Sequence, residues 1–308
     1  MKRFITKTVL FAGLLILLFG GILFLPSTPR SSKSLLFAEI QKDSLLKNVP
    51  SPRIIFVGGS GLLFGLNSQE IKDSLNINPI NTANMASIGI KYMLENTMQY
   101  VKKGDIIVFI PEYSHFCNND WNAGSAELLR IILNVNGAKI SLLNKEQMLN
   151  CLSNSGALVL SKFYPSEYIN VPEGGVYTVN SLNKYGDCDA HWNLKNREIK
   201  SQTVDNKKYN PKIIEGIKHI ANMLQEKGCF FLISYPCLQE TAFNNSKEAI
   251  KHIDEEYHAH GFTVLGNPER YMVPDSLLFD SPWHLNKQGV DLRTRLLIED
   301  LKTTLKKK

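Results

Sequence analysis

Short apolar runs of strand length alternate along this chain with longer segments whose apolar positions recur every three to four residues. Ile54 to Val57, Asp105-Ile-Ile-Val-Phe-Ile110, Cys229-Phe-Phe-Leu-Ile-Ser234 and Phe262-Thr-Val-Leu265 read as strands, with a further short strand over Pro79 to Asn84. An uncharged run closed by glycine, proline or turn residues is the pattern of a strand buried on both faces. Between these runs, Ile90 to Lys102 places Ile90, Met93, Leu94, Met98 and Val101 on one helical face. Pro211 to Lys227 does the same with Ile214, Ile217, Ile220, Ala221 and Leu224. Lys102-Lys103-Gly104 and Lys227-Gly228 supply last-turn cations and a terminating glycine. One or two helical turns are expected over Ser68–Leu75, a helix over Ser246–His260, and a closing helix from Leu285 or Asn286 to Lys302. Such alternation means βαβ units and a parallel sheet, so the pattern predicts an α/β/α domain.

Two stretches depart from the alternation. Residues 8–26 are uncharged and about one bilayer thick, preceded by Lys2, Arg3 and Lys7. The exit Phe24-Leu25-Pro26-Ser27-Thr28-Pro29 lacks an alanine-type cleavage site, so an uncleaved signal anchor is expected. The flanking charge puts the short tail 1–7 in the cytoplasm and the rest outside, a single-pass cell-membrane protein. Residues 27–52, with a short amphipathic piece from Leu35 to Leu46, then read as a stalk, and 53–308 as the folded domain. Within it, residues 118–210 are irregular, with helices expected near Ser125–Val135 and Asn144–Cys151. They read as an insertion over the sheet edge, serving as a lid or substrate surface.

Composition adds limits. At 308 residues, with 44% hydrophobic and 21% charged residues, the chain has ample core. Its net charge of +6 comes largely from the two ends, and no basic patch is interleaved with aromatics, which argues against nucleic acid. The five cysteines, Cys117, Cys151, Cys188, Cys229 and Cys237, form no repeated Cys-x-x-Cys pattern. Cys229 reads as a core residue, and one disulfide among the others stays open.

The first stretch with chemistry is Val57-Gly-Gly-Ser-Gly61. It ends a strand and opens a helix, which would place the Ser60 hydroxyl at the C-terminal sheet edge beside unpaired N–H groups able to hold an oxyanion. Gly89 and Glu112 fall at the same kind of edge, where ligands of parallel sheets gather. The second stretch, Asp280-Ser-Pro-Trp-His284, sets a carboxylate four residues before an imidazole just ahead of the last helix. A serine nucleophile needs an imidazole base and a carboxylate to orient it.

Together, Gly-Gly-Ser60, the lone Gly89 and Asp280…His284-Leu-Asn resemble the SGNH (GDSL-type) hydrolase superfamily over Arg53 to about Leu301. The membrane anchor and the run Gly104 to Tyr113 are similar to its extracytoplasmic branch, which includes alginate-type O-acetyltransferases and the D-alanyl transfer protein of teichoic acids. The resemblance implies a flavodoxin-like three-layer sandwich and a serine esterase or O-acyltransferase acting on cell-envelope or exported polysaccharide. Ser60 would be the nucleophile, His284 the base and Asp280 its orienter, with Ser60 and Gly89 N–H groups as the oxyanion hole. No metal or organic cofactor is implied; a glycan or acyl-ester substrate and a membrane-bound acyltransferase partner are. Three departures stand out: Gly59 replaces the usual Asp before the serine, Asp280 and His284 are one residue further apart than the usual Asp-x-x-His, and Ile110-Pro-Glu-Tyr-Ser-His115 stands where Gly-x-Asn-Asp would offer a donor. The last keeps a second reading open, a non-catalytic accessory protein that binds glycan or a membrane partner.

Glu112, Tyr113, His115, His191 and Trp283 are the remaining candidates for lining a substrate site. Trp283 is suited to stack on a pyranose face. Asp187, Cys188, Asp189 and His191 crowd one short segment, without the second His or Cys pair that metal ligation requires.

Overall fold

The computed structural model describes residues 1–306. Helix α1 spans Lys2–Leu23 and is followed by α2 (Pro29–Ser32) and α3 (Ala38–Asn48). Strand β1 (Arg53–Gly58) runs into α4 (Ser60–Leu63) and α5 (Ser68–Leu75), then β2 (Asn78–Asn81), α6 (Ile90–Met98) and β3 (Ile106–Ile110). Helices α7 (Ala126–Arg130), α8 (Lys145–Ser153) and α9 (Ser155–Ser161) belong to the irregular region. Next come α10 (Pro211–Glu226), β4 (Phe230–Ser234), β5 (Leu238–Gln239), α11 (Glu240–Asn245) and α12 (Lys247–Ala259). The chain closes with β6 (Val264–Leu265), β7 (Met272–Val273) and α13 (Lys287–Leu305).

Five strands form one parallel sheet in the order β2-β1-β3-β4-β6. Counted within that sheet the order is 2-1-3-4-5, so the crossover direction reverses between β1 and β3 and opens a crevice at their C-terminal ends. Alternate residues of each strand face opposite ways. Ile55, Val57, Ile107, Phe109 and Phe231 pack in one core with α6 and α10, while Ile54, Phe56, Val108 and Leu232 pack in another with α4 and α13. The α/β/α layering expected from the periodicity is present.

The strand Phe262–Leu265 shortens to two residues. The region Ser125–Val135 divides into α7 and a π-helical turn over Ile131–Val135. The five cysteines are all buried and free, so the open disulfide is not formed.

Residues 27–52 are not a stalk. On α3, Glu39, Lys42, Asp43 and Leu46 face inward at helical spacing. Glu39 accepts from Tyr92, Asn96 and Lys139 at 3.1, 3.0 and 2.8 Å, and Lys139 also pairs with Asp43 at 2.7 Å. Lys42 Nζ donates to the Asn81 and Gly186 carbonyls, both at 3.0 Å. Its pKa is lowered to about 8 by burial, against the opposing pull of Glu39 and Asp187. The buried face of α3 is built of paired charges, so a hydrophobic period does not reveal it.

Candidate functional site

The turn from β1 into α4 sits at the crevice. A side chain at Gly58 would run into the Ile110 carbonyl, so glycine lets β1 and β3 close up there. At Gly59 a Cβ would lie 2.7 Å from Glu112 Oε1, so glycine also admits the carboxylate that follows β3. Ser60 then opens α4.

Glu112 is the nearest ionisable partner of Ser60. Its Oε1 accepts the Ser60 hydroxyl at 3.3 Å and the Gly61 N–H at 2.9 Å. The Glu112 N–H donates to His115 Nδ1 at 3.1 Å, and the His115 N–H donates to the Glu112 backbone carbonyl at 3.0 Å. Asp120 adds a further carboxyl to this side. Burial pushes it up, His115 opposes the rise and Glu112 adds to it.

The second stretch arrives from the other side. Leu278 pairs with Leu285, and Phe279 N–H donates to the His284 carbonyl at 2.8 Å, making a tight excursion before α13. Gln239 N–H, at the end of β5, holds the Pro282 carbonyl at 3.0 Å. Asn286 caps α13 through the Gly289 N–H at 3.0 Å. Within the excursion His284 Nδ1 and Asp280 Oδ1 lie 2.9 Å apart. That bond places the proton on Nδ1 and leaves Nε2 as the basic nitrogen in the neutral ring.

Ser60 and His284 meet around one helical turn without a hydrogen bond between them. The His284 ring stacks on Phe64, centroids 4.3 Å apart, and Phe64 N–H bonds back to the Ser60 carbonyl at 2.9 Å. A Cβ at Gly61 would lie 3.4 Å from Trp283 Cβ, so the Trp283–His284 backbone packs directly on the serine turn.

Tyr177 was not singled out by the sequence pattern, and the irregular region supplies it. Its hydroxyl donates to Asp280 Oδ2 at 2.6 Å and lies 3.5 Å from His284 Nδ1. Burial raises the Asp280 carboxyl, but the bonds from His284 and Tyr177, with the charges of His284 and Arg197, outweigh it and hold the group below its ordinary value. Asp280 therefore stays an acceptor at any moderately acidic pH. No local signal in the sequence marks Tyr177; only the folding of its loop against the Asp280 segment does.

Other expected residues take different places. Gly89 has φ of +84°, and its N–H donates to the Ala86 carbonyl at 3.1 Å, so this donor is already used. Tyr113 and His115 are buried, with Tyr113 facing Trp283 at 6.3 Å between ring centroids. Trp283 is largely buried too, its Nε1–H donating to Gln202 at 3.4 Å. It forms one wall of a cleft of about 180 Å³ shared with Ser114, Gln202 and Lys208.

The expectation that His191 lines a substrate surface fails, because the residue is fully buried. Its Nε2–H donates to the Leu285 carbonyl at 2.8 Å, so it supports the His284 loop from beneath. Asp187 is likewise buried and receives Ser68, Asn81 and Asn183, tying the insertion to the sheet.

Burial lowers His191 to about 4 against an ordinary 6.5. A folded pKa below the unfolded one means that the unfolded chain binds the extra proton first. The neutral ring's contribution is therefore complete above pH 6.5 and is lost as pH falls toward 4, a separation of about 3 kcal/mol. Denaturant unfolding between pH 7 and 4 should show this loss. In His191→Gln, which keeps a donor without titrating, the pH dependence should flatten; an unchanged slope would reject the assignment.

No protein-family model and no curated protein matches this chain. The functional reading therefore rests on the fold and on the geometry just described.

Proposed function

We propose that the protein is a serine acyl-ester hydrolase or O-acyltransferase of SGNH type, anchored to the membrane through α1 and acting on cell-envelope or exported glycan. The observation that carries this is the packing of the Asp280–His284 pair onto the turn that presents Ser60, at the C-terminal crevice of a 2-1-3-4-5 sheet. In the proposed reaction Ser60 Oγ attacks the acyl carbonyl and its proton passes to His284 Nε2. Collapse expels the donor's alcohol, which takes that proton. A sugar hydroxyl or water then attacks the acyl-serine, giving its proton to His284 and regenerating Ser60. The cleft beside Trp283 shares Thr203, Val204 and Asp205 with a neighbouring surface groove of about 850 Å³, which offers room for an extended acceptor. An acyltransferase would draw its acyl group from a membrane partner, since acetyl-CoA is cytoplasmic.

One observation favours a non-catalytic accessory protein instead. Glu112 already occupies both the Ser60 hydroxyl and the Gly61 N–H that an oxyanion would use. The two readings divide on Glu112→Gln. The neutral amide keeps both acceptor contacts but removes the charge, and a hydrogen bond to a charged group exceeds a neutral one by about 1 kcal/mol. In an enzyme, labelling of Ser60 by a fluorophosphonate should then accelerate by roughly fivefold. Absence of labelling in both wild type and Glu112→Gln, with each well folded, would support the accessory reading.

A further inference from the structure

Helix α1 is long and apolar enough to cross a membrane, and none of its most apolar window is buried against the rest of the chain. Its C-terminal end, by contrast, is held firmly. Lys162, just after α9, donates through Nζ to the Leu23 carbonyl at 3.1 Å and also to the Leu25 carbonyl. Arg30 reaches the Ser166 and Asn170 carbonyls at 2.6 and 3.1 Å, and Thr28 donates to Glu167. The point where α1 leaves the domain is therefore clamped to residues 162–170.

That same neighbourhood carries an unusual surface. On α9, Leu158 and Val159 face the core, whereas Leu160 is 59% exposed. Phe163 is 63% exposed, and Tyr164, Tyr168 and Ile169 are exposed beside it. Helix α8, packed on α9, adds exposed Leu149 and Leu152. Scattered apolar residues on a surface need no account, but a contiguous patch of this kind marks an interaction site.

We infer that this patch, resting on the reading of α1 as a membrane span, is seated in the interface of the same bilayer, so that the domain lies on the membrane rather than hanging from a tether. The occupant follows from continuity. The clamp holds the end of α1 beside the patch, and a helix entering lipid brings its immediate surroundings to the lipid surface. The residue types agree. Leu and Phe suit the acyl boundary, Tyr164 and Tyr168 suit the headgroup level, and Lys162 and Arg30 flank the helix end.

The placement also fixes the candidate site relative to the lipid. Beyond α2 the chain pairs with the Tyr177 loop, through Ser34 with Thr178 and through Lys33 with Val179. Tyr177 in turn holds Asp280. From Leu23 to Leu35 the chain spans at most roughly 40 Å, so the crevice is kept close to the surface, within reach of a lipid-borne acyl donor or glycan.

The test uses the full chain in phosphatidylcholine–phosphatidylglycerol vesicles containing acyl-brominated lipid. Single variants Leu160→Cys, Phe163→Cys, Phe11→Cys and Lys251→Cys are labelled with an environment-sensitive maleimide, the five native cysteines being buried. Residues 160 and 163 should show blue-shifted, strongly quenched emission like residue 11, while residue 251 on α12 should show neither. Quenching at residue 11 with none at 160 and 163 would overturn the docking and leave the span intact; self-quenching at 160 and 163 in its place would assign the patch to a second copy. No quenching at residue 11 would remove the membrane span itself, and the docking with it.

Discussion

Ser60→Ala should abolish turnover of a chromogenic acyl ester, with kcat falling by about 10⁴- to 10⁶-fold while the fold and unfolding midpoint stay at wild-type values. The magnitude is what the proposed mechanism implies, in which Ser60 is the nucleophile and acts as a unit with His284 and Asp280. His284→Ala should cost nearly as much, and combining the two should add little, because the residues serve one step. Geometry supports this expectation: the serine opens the turn after β1, and the His284 ring stacks on the Phe64 of that turn. Structural damage from Ser60→Ala should be slight, since the hydroxyl makes one long contact, to Glu112 at 3.3 Å. Retention of wild-type turnover in Ser60→Ala would sink the serine mechanism. Loss of turnover together with loss of the folded state would not count in its favour, so circular dichroism must accompany the kinetics.

The second large effect lies before β3, outside the crevice. Arg53 opens β1 and Asp105 immediately precedes β3, both fully buried. Arg53 Nε bonds Asp105 Oδ1 at 2.9 Å, Nη2 meets Oδ2, and the guanidinium also donates to the Leu46 and Tyr100 carbonyls at 2.6 and 2.9 Å. Lys102 N–H completes the carboxylate at 2.7 Å. Asp105→Ala would leave a buried guanidinium without its counter-charge, a change that costs about 3–5 kcal/mol. Denaturant unfolding should register that loss, and the double variant Arg53→Met, Asp105→Leu should recover most of it, because a buried pair is worth little against well-packed apolar groups. A loss below about 1 kcal/mol in Asp105→Ala would show that the pair is not buried as described.

These two sites show how differently sequence patterns speak. The buried strands were legible because a parallel sheet covered on both faces demands unbroken apolar runs, and Ile54–Val57 and Ile106–Ile110 supply them. Asp280 and His284 were legible as a pair because four residues in one short loop keep them neighbours in space. Helix α3 was misread as part of a stalk because Glu39, Lys42 and Asp43 are charged, and only their partners Tyr92, Asn96, Lys139 and the Asn81 and Gly186 carbonyls make burial affordable. His191 was misplaced for a related reason: an imidazole reads the same in sequence whether it meets a substrate or the Leu285 carbonyl.

What the sequence by itself determined is the alternation that builds an α/β/α sheet, the apolar N-terminal helix, and the two stretches that present Ser60 and the Asp280–His284 pair. Those properties are local, set by periodicity, glycine placement and short spacing. Tertiary structure alone decided that Glu112 claims the Ser60 hydroxyl, that Tyr177 orients Asp280, and that the end of α1 is clamped against α9. Each of these joins residues whose meeting depends on how strands, helices and loops close upon one another, and hydrogen bonds between distant groups leave no period in the chain that encodes them.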